Sequence, residues 1–208
     1  MTEPIPPTRW ELADTGQVSQ YAELFEDLID QGVDVDGEAR LADTLAPRRA
    51  QVLDAGSGMG RVAAALAARG HDVTAVEKDP DLVARSRARY PGVPVLETDI
   101  LGLSTALLEE AGQPTAYDVV VVVGNVMVYL AEGTETRALW TLGQLLRPGG
   151  RVLVGFHPQQ GPKGSRNYPV AEFTEHVEGA GLRIQQLFGT YDLLPPADDY
   201  VVAVLAAH

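Results

Sequence analysis

The stretch Gln51-Val-Leu-Asp-Ala-Gly-Ser-Gly-Met-Gly60 decides the fold of this chain. Its first half is a short apolar segment, typical of a buried strand, and its glycines stop that strand. The alanine-rich segment 61–69 that follows predicts a helix with small side chains. Glycine lets the backbone turn through positive φ and lets a ligand approach where a Cβ atom would collide. We therefore expect a strand, a tight turn and a helix in direct succession.

The same alternation of strands and helices continues along the rest of the chain. Further strands are predicted at 72–77, 93–97, 117–123, 151–156, 183–191 and 200–206. Helical segments separate them, except that the last two strands can form a hairpin. The five consecutive valines at 119–123 have no polar face, so their strand is expected to be central and covered by helices on both sides. The pattern predicts a doubly wound, Rossmann-like α/β sheet, mostly parallel, with helices on both faces.

Two helices are expected ahead of this sheet. Tyr21, Leu24 and Phe25 fall on one helical face, and a second helix is expected between Asp36 and Pro47. The first helix has an apolar face without an assigned partner in the sheet. It is therefore interpreted either as a lid that closes over a ligand or as a static helix packed on the core.

Length and composition are those of an ordinary soluble globular protein. At about 150 residues per domain, we interpret 1–208 as a single domain, with an N-terminal helical cap (1–50) and an α/β core (51–208). Cysteine is absent, the first 20 residues lack an apolar run of signal-peptide length, and no apolar stretch reaches the roughly 18 residues of a membrane span. We expect a cytoplasmic protein without a membrane partner, and the oligomeric state stays open.

The charge balance bears on possible partners. The formal net charge is −13, and Lys78 and Lys163 are the only lysines. Nucleic-acid affinity depends largely on basic side chains that displace counterions from phosphates, so we expect no nucleic-acid partner. No two histidines have the spacing of a metal-ligand pair, and no metal site is predicted. His71, His176 and His208 are expected at the surface.

Two carboxylates accompany the glycine loop. Glu77 ends the second strand about 20 residues past the first glycine, where a carboxylate can accept both hydroxyls of a ribose. Asp99 follows the third strand, where it can accept an adenine amino group while Ile100 packs on the ring. The alternative is a plain tight turn with two solvated strand ends. A dinucleotide site is disfavoured, because its fingerprint needs glycine or alanine where this chain has Arg61.

With these segments the chain resembles the class I S-adenosylmethionine-dependent methyltransferases. Within that class it most resembles a small group of bacterial type-11/12 methyltransferase-like proteins. The segments that carry the resemblance are, in chain order, 52–60, 73–80, 97–100, 117–125 and 145–155. The resemblance implies a seven-stranded sheet whose last strand is antiparallel, and S-adenosylmethionine as the cofactor. It also implies that the cofactor is bound by Asp54, Gly56, Ser57, Gly58, Gly60, Glu77, Lys78, Asp99, Ile100 and Asn125.

Methyl transfer from a sulfonium is an in-line displacement, which needs alignment and, for a protic acceptor, a base. The candidate catalytic residues are Asn125, at the end of the valine strand, and His157, at the end of the fifth strand. Asn125 is not followed by the two prolines typical of amide and nucleobase methyltransferases, so a small-molecule acceptor is favoured. A structural role of His157 is the alternative.

The candidate acceptor-binding residues are Tyr21, Tyr129, Lys163 and Arg166. The last two belong to the segment 157–168, interpreted as a lid or as a mobile connection. The run that begins at Tyr191 is a further candidate for a pocket wall. Two other functions stay open: an NAD(P)-dependent oxidoreductase, and a protein that binds S-adenosylmethionine without catalysis.

Overall fold

The computed structural model describes residues 4–13, 23–25 and 27–208. The strands are β1 (Gln51–Ala55), β2 (Asp72–Glu77), β3 (Val95–Glu97), β4 (Tyr117–Val122), β5 (Leu146–Phe156), β6 (Leu182–Phe188) and β7 (Val201–Ala207). The helices are α1 (Arg9–Leu12), α2 (Gly37–Leu45), α3 (Arg61–Ala68), α4 (Pro80–Arg89), α5 (Thr105–Glu110), α6 (Val126–Tyr129), α7 (Glu135–Gln144) and α8 (Val170–Gly179). A 3-10 turn spans Ile100–Gly102, and residues 23–25 and 27–30 are also helical.

The strands form one sheet in the order β3-β2-β1-β4-β5-β7-β6. All neighbouring pairs are parallel except those of β7, which is antiparallel to both β5 and β6. The predicted doubly wound seven-stranded sheet with an antiparallel last strand is therefore confirmed. The strand order reverses between β1 and β4, and ligands of open α/β sheets bind in the crevice at such a reversal.

The valine strand lies at the centre of the sheet, as predicted. Val119 and Val121 pack into the core on one face with side chains of α2, α3 and α4. Val120 and Val122 pack into the core on the other face with side chains of α5, α6, α7 and α8. All four side chains are fully buried. The sheet is thus covered on both sides, and its carboxyl edge is left to bind ligands.

β5 begins at Leu146, five residues before the start of the strand predicted at 151–156. Pairing with β4 shifts from Tyr117 opposite Leu146 to Val119 opposite Arg151, so the intervening residues form a bulge inside the strand. A Cβ atom at Gly150 would lie 3.0 Å from the Tyr117 carbonyl oxygen. The bulge therefore needs a glycine at this position.

His71 is buried, and the expectation that it lies at the surface was wrong. Its Nδ1 accepts a hydrogen bond from the Ala50 N–H at 3.2 Å, and its Nε2 lies 2.9 Å from Asp43 Oδ1. The imidazole therefore connects the chain just before β1 to α2. His176 is partly buried, and its Nδ1 lies 2.7 Å from the Tyr168 hydroxyl. In the described ranges, no helix has both the length and the apolar character to cross a membrane.

The central packing can be tested with two leucines. Leu153 of β5 is fully buried, whereas Leu194 in the β6–β7 loop is 57% exposed. Leu153→Ala should lower the free energy of unfolding by about 2–5 kcal/mol, because the deleted side chain leaves a cavity. Leu194→Ala should change it by less than about 0.5 kcal/mol. Urea unfolding followed by circular dichroism measures both, and similar values for the two variants would contradict this packing.

Candidate active site

A cleft of about 960 Å³ lies at the carboxyl edge of the sheet. It is bordered by Gly56 after β1, Glu77 at the end of β2, Asn125 after β4 and His157 after β5. Residues of α2, the β6–β7 loop and the N-terminal segment complete its walls. The cleft therefore occupies the crevice where the strand order reverses.

The glycine loop reaches the cleft through its backbone. Gly56, Gly58 and Gly60 all have positive φ, at 78°, 57° and 86°. A Cβ atom at Gly56 would lie 2.6 Å from a methyl carbon of Val126, so a side chain has no room there. Gly60 instead packs against Ser86 of α4 and does not line the cleft. Of the three glycines, Gly56 and Gly58 therefore line the cleft.

Glu77 joins the loop to the end of β2. One carboxylate oxygen accepts from the Gly58 N–H at 2.8 Å, and the other accepts from the N–H groups of Lys78 and Asp79 at 2.8 and 2.9 Å. The side chain is buried, and burial raises the pKa of Glu77, while the three N–H donors oppose this rise. Its carboxylate nevertheless borders the cleft, where the predicted ribose site lies.

Asp99 and Lys78 form an ion pair at the neighbouring wall. Lys78 Nζ lies 2.8 Å from Asp99 Oδ2 and also contacts Glu11. The other Asp99 oxygen accepts from the Leu101 N–H at 2.8 Å, which caps the 3-10 turn that begins at Ile100. Asp99 and Ile100 therefore lie together beside Glu77, as the resemblance implies, but Lys78 already occupies one oxygen of Asp99.

The N-terminal segment crosses the mouth of the cleft. Trp10 Nε1 donates to Asp79 Oδ2 at 3.0 Å beyond β2, and the indole ring meets Tyr129 edge-on at 5.2 Å. Arg9 donates to the Leu130 carbonyl oxygen at 2.6 Å, on the opposite wall. This strap was not predicted from the sequence. Its signal was the capping box formed by Thr8 and Glu11, which predicts a short helix.

Asn125 and His157, predicted separately, are in contact. Asn125 Oδ1 accepts from the backbone N–H of His157 at 2.9 Å and also lies 2.9 Å from His157 Nδ1. The imidazole ring meets Tyr200 edge-on, with 4.7 Å between ring centroids. Tyr129 and Lys163 also line the cleft, and the Tyr129 hydroxyl donates to the Lys163 carbonyl oxygen at 2.9 Å.

Arg166, predicted to bind the acceptor, is not among the described residues that line the cleft. The Arg166 guanidinium binds the buried carboxylate of Glu135 at 2.6 Å, also pairs with Glu172, and stacks over the Tyr168 ring. This position gives no support to a role of Arg166 in acceptor binding. Tyr21 lies outside the described residues. Its predicted neighbours on the same helix, Leu24 and Phe25, do line the cleft.

Tyr191, predicted as a wall residue, lines the cleft beside Tyr200. The two hydroxyls lie 3.0 Å apart, and burial raises the pKa of Tyr191 well above its usual value. The Tyr191 hydroxyl occupies the space that a side chain at Gly155 of β5 would need. Because Gly155 has no Cβ atom, the β6–β7 loop can pack directly against the end of β5.

This close approach predicts the effect of one added methyl group. Gly155→Ala would place a Cβ atom on the Tyr191 hydroxyl and 2.9 Å from the Tyr200 hydroxyl. We expect a loss of about 1–3 kcal/mol in the free energy of unfolding, because both rings must move. Gly92→Ala is the control, since Gly92 has open space around it. Chemical denaturation checks both, and equal values would contradict the placement of Tyr191.

Asp54 is buried near the end of β1, behind the loop. Its burial raises the pKa to about 7, although the positive charge of Arg61 and the Ala63 N–H lower it. Asp54 Oδ2 and Ser57 Oγ have no hydrogen-bond partner among the described residues. A buried carboxylate with an unpaired oxygen beside a glycine loop fits a positively charged ligand group.

The raised pKa of Asp54 predicts how stability depends on pH. Between about pH 4 and pH 7 the folded chain keeps a proton on Asp54 that the unfolded chain releases, so this group destabilises the fold as pH rises. Asp54→Asn removes the ionisation while keeping an acceptor for Ala63. Relative to the unaltered chain, the variant should gain stability from pH 4.5 to pH 8, by a few kcal/mol at most. A pH-independent difference in denaturation midpoints would contradict the raised pKa.

The sequence and the fold of this chain are similar to those of known methyltransferases. A profile of methyltransferase domains matches residues 52–150. An uncharacterised methyltransferase of Mycobacterium tuberculosis is 40% identical over 117 residues, which are 55% of this chain and 54% of that protein. The match therefore spans about half the length of this curated relative.

Two solved structures extend the comparison. The Burkholderia thailandensis 1,6-didemethyltoxoflavin-N1-methyltransferase, with 1,6-didemethyltoxoflavin and S-adenosylhomocysteine bound, is 19% identical, with a TM-score of 0.64 over 100% of this chain and 94% of that chain. At this identity the likeness shows the fold alone. A TehB-like S-adenosylmethionine-dependent methyltransferase from Corynebacterium glutamicum is 31% identical, with a TM-score of 0.81 over 94% of this chain and 100% of that chain. The chain therefore belongs to the S-adenosylmethionine-dependent methyltransferase family.

Proposed function

We propose that this chain transfers the methyl group of S-adenosylmethionine to a small-molecule acceptor. The observation that carries the proposal is the arrangement of Gly56, Glu77 and Asp99 around one cleft, with Asn125 and His157 across from them. In this proposal the glycine loop contacts the methionine part of the cofactor, Glu77 binds the ribose, and the turn at Asp99 binds the adenine. The cofactor supplies a methyl group on a positively charged sulfur, which departs as a neutral thioether.

The residues present fit this cofactor in three respects. At Gly56 the Val126 side chain leaves no room for a Cβ atom, so this residue borders the cleft through its backbone alone. Asp54 does not line the cleft, but its buried, unpaired oxygen behind the glycine loop fits a water-mediated contact to the ammonium group of the methionine part. Among the described residues that line the cleft, four are basic (Arg40, Arg61, Lys78 and Lys163) and six are acidic (Asp34, Glu38, Glu77, Asp99, Asp192 and Asp199). The excess of negative charge favours a cationic ligand.

The size and closure of the cleft support a small acceptor. Its volume of about 960 Å³ falls within the range of small-molecule sites, and it must hold both cofactor and acceptor. The N-terminal strap contributes Trp10 to its lining, and the β6–β7 loop contributes Tyr191. The net charge of −13 disfavours a nucleic-acid acceptor. Asn125, Tyr129, His157 and Lys163 are the residues that we assign to the acceptor side.

The cofactor assignment is tested by calorimetry with S-adenosylmethionine. Glu77→Ala should weaken binding at least tenfold, because charge-assisted hydrogen bonds to the ribose are lost. Glu97→Ala is the matched control, since Glu97 ends the neighbouring strand β3 and is exposed. Glu77→Gln separates loss of charge from loss of the loop contacts, and we expect an intermediate affinity.

Three outcomes distinguish the alternatives. Unchanged affinity in Glu77→Ala would contradict the assignment of the ribose site. Binding of NAD in place of S-adenosylmethionine would favour an oxidoreductase. Binding of S-adenosylmethionine without formation of S-adenosylhomocysteine across a metabolite panel would favour a binding protein without catalysis.

A further inference from the structure

We infer that His157 Nε2 is the general base of the reaction and that the acceptor is an aromatic compound with a protic O–H or N–H group. This inference rests on the proposed function, because it concerns the acceptor half of the same cleft. It is carried by the two hydrogen bonds between Asn125 and His157, which determine the position of the proton on the imidazole.

One atom of Asn125 receives both contacts from His157. The backbone N–H of His157 can only donate, so the atom 2.9 Å from it must be an acceptor, which identifies it as the amide oxygen Oδ1. A flipped amide would place two donors against each other. The same oxygen lies 2.9 Å from Nδ1 of the ring, so Nδ1 must carry the proton. A neutral His157 therefore has its lone pair on Nε2.

The backbone holds Asn125 in a conformation suited to this contact. Asn125 has a φ of 75°, in the left-handed region that asparagine tolerates better than most residues. Its N–H donates to the Gly155 carbonyl oxygen at 3.1 Å, which ties the end of β4 to the end of β5. Both members of the pair are therefore positioned by adjacent central strands. Asn125 acts as a positioning residue for His157.

The groups around the imidazole favour an aromatic acceptor. Tyr200 meets the imidazole edge-on, Tyr191 packs against Tyr200, and Phe25 also lines the cleft. Aromatic side chains arranged in this way bind flat rings by edge and face contacts. Phe25 also lies under the Arg61 guanidinium, 4.7 Å from its ring centroid, and Arg61 pairs with Glu38 at 2.7 Å. Both members of this ion pair line the cleft.

In the proposed step, the oxygen or nitrogen of the acceptor forms a bond to the methyl carbon. The carbon–sulfur bond breaks, and its electron pair stays on the sulfur. His157 Nε2 takes the acceptor proton and becomes an imidazolium, while Nδ1–H keeps its hydrogen bond to Asn125 Oδ1. The proton then passes to solvent. A base is needed because a neutral hydroxyl or N–H group is a weak nucleophile, whereas an already ionised acceptor needs none.

The tautomer is tested without any acceptor. Long-range ¹H–¹⁵N spectra of the full chain should show His157 as the Nδ1–H form when neutral, with the His157→Gln spectrum identifying its signals. Asn125→Asp keeps an acceptor oxygen and should keep this tautomer. Asn125→Gly keeps the left-handed backbone, removes the oxygen, and should shift His157 towards the Nε2–H form. An Nε2–H tautomer in the unaltered chain would overturn the inference.

The acceptor class is tested with phenol and 4-nitrophenol as probes at pH 8, by formation of S-adenosylhomocysteine. His157→Gln should lower kcat/KM for phenol at least 100-fold. It should lower the value for 4-nitrophenol less than tenfold, because this probe is largely ionised already. Equal losses, or turnover of neither probe by a chain that binds S-adenosylmethionine, would overturn the inference. Failure of the unaltered chain to bind S-adenosylmethionine would instead reject the proposed function.

Discussion

Three backbone N–H groups converge on the carboxylate of Glu77, and the rest of the site depends on this convergence. The bonds from Gly58, Lys78 and Asp79 join the loop after β1 to the turn after β2. Without them the N–H groups of Gly58, Lys78 and Asp79 would lack this acceptor. No carboxylate would then hold the loop in its positive-φ conformation. A buried carboxylate is costly unless its oxygens are satisfied, so the shape of the loop and the burial of Glu77 support each other.

The cleft combines a rigid edge with walls drawn from distant parts of the chain. The parallel strands place Gly56, Asn125 and His157 at one edge, because their ends are set by the register of a fully buried sheet. The strap at Trp10 and the β6–β7 loop at Tyr191 come from opposite ends of the sequence. The strap contacts Asp79 and Tyr129 through Trp10, and the loop contacts Tyr200 through Tyr191. Side-chain contacts, not the register of the sheet, therefore position these two walls.

Local pattern was sufficient for the fold and for the positions of the strand ends that border the cleft. Val119–Val123 could be recognised as a central strand and Glu77 as a strand end because each depends on nearby residues alone. The strap could not be predicted, since the partner of Trp10 is Asp79, 69 positions away. The bulge at Gly150 and the burial of His71 likewise depend on pairing between separate segments. Arg166 was assigned to acceptor binding for the same reason, because its carboxylate partner Glu135 is distant in sequence.

The pair formed by Asn125 and His157 shows why a turn residue can carry chemistry. A left-handed position directly after a buried strand is usually filled by glycine, and Gly124 just before it has the same sign of φ. Asparagine fits the same backbone and adds an amide oxygen at a fixed place. That oxygen meets a backbone N–H and an imidazole at once, so it determines which ring nitrogen is protonated. A glycine at position 125 would preserve the turn but would remove the acceptor that keeps the proton on Nδ1, so Nε2 of His157 would no longer be held as the free base.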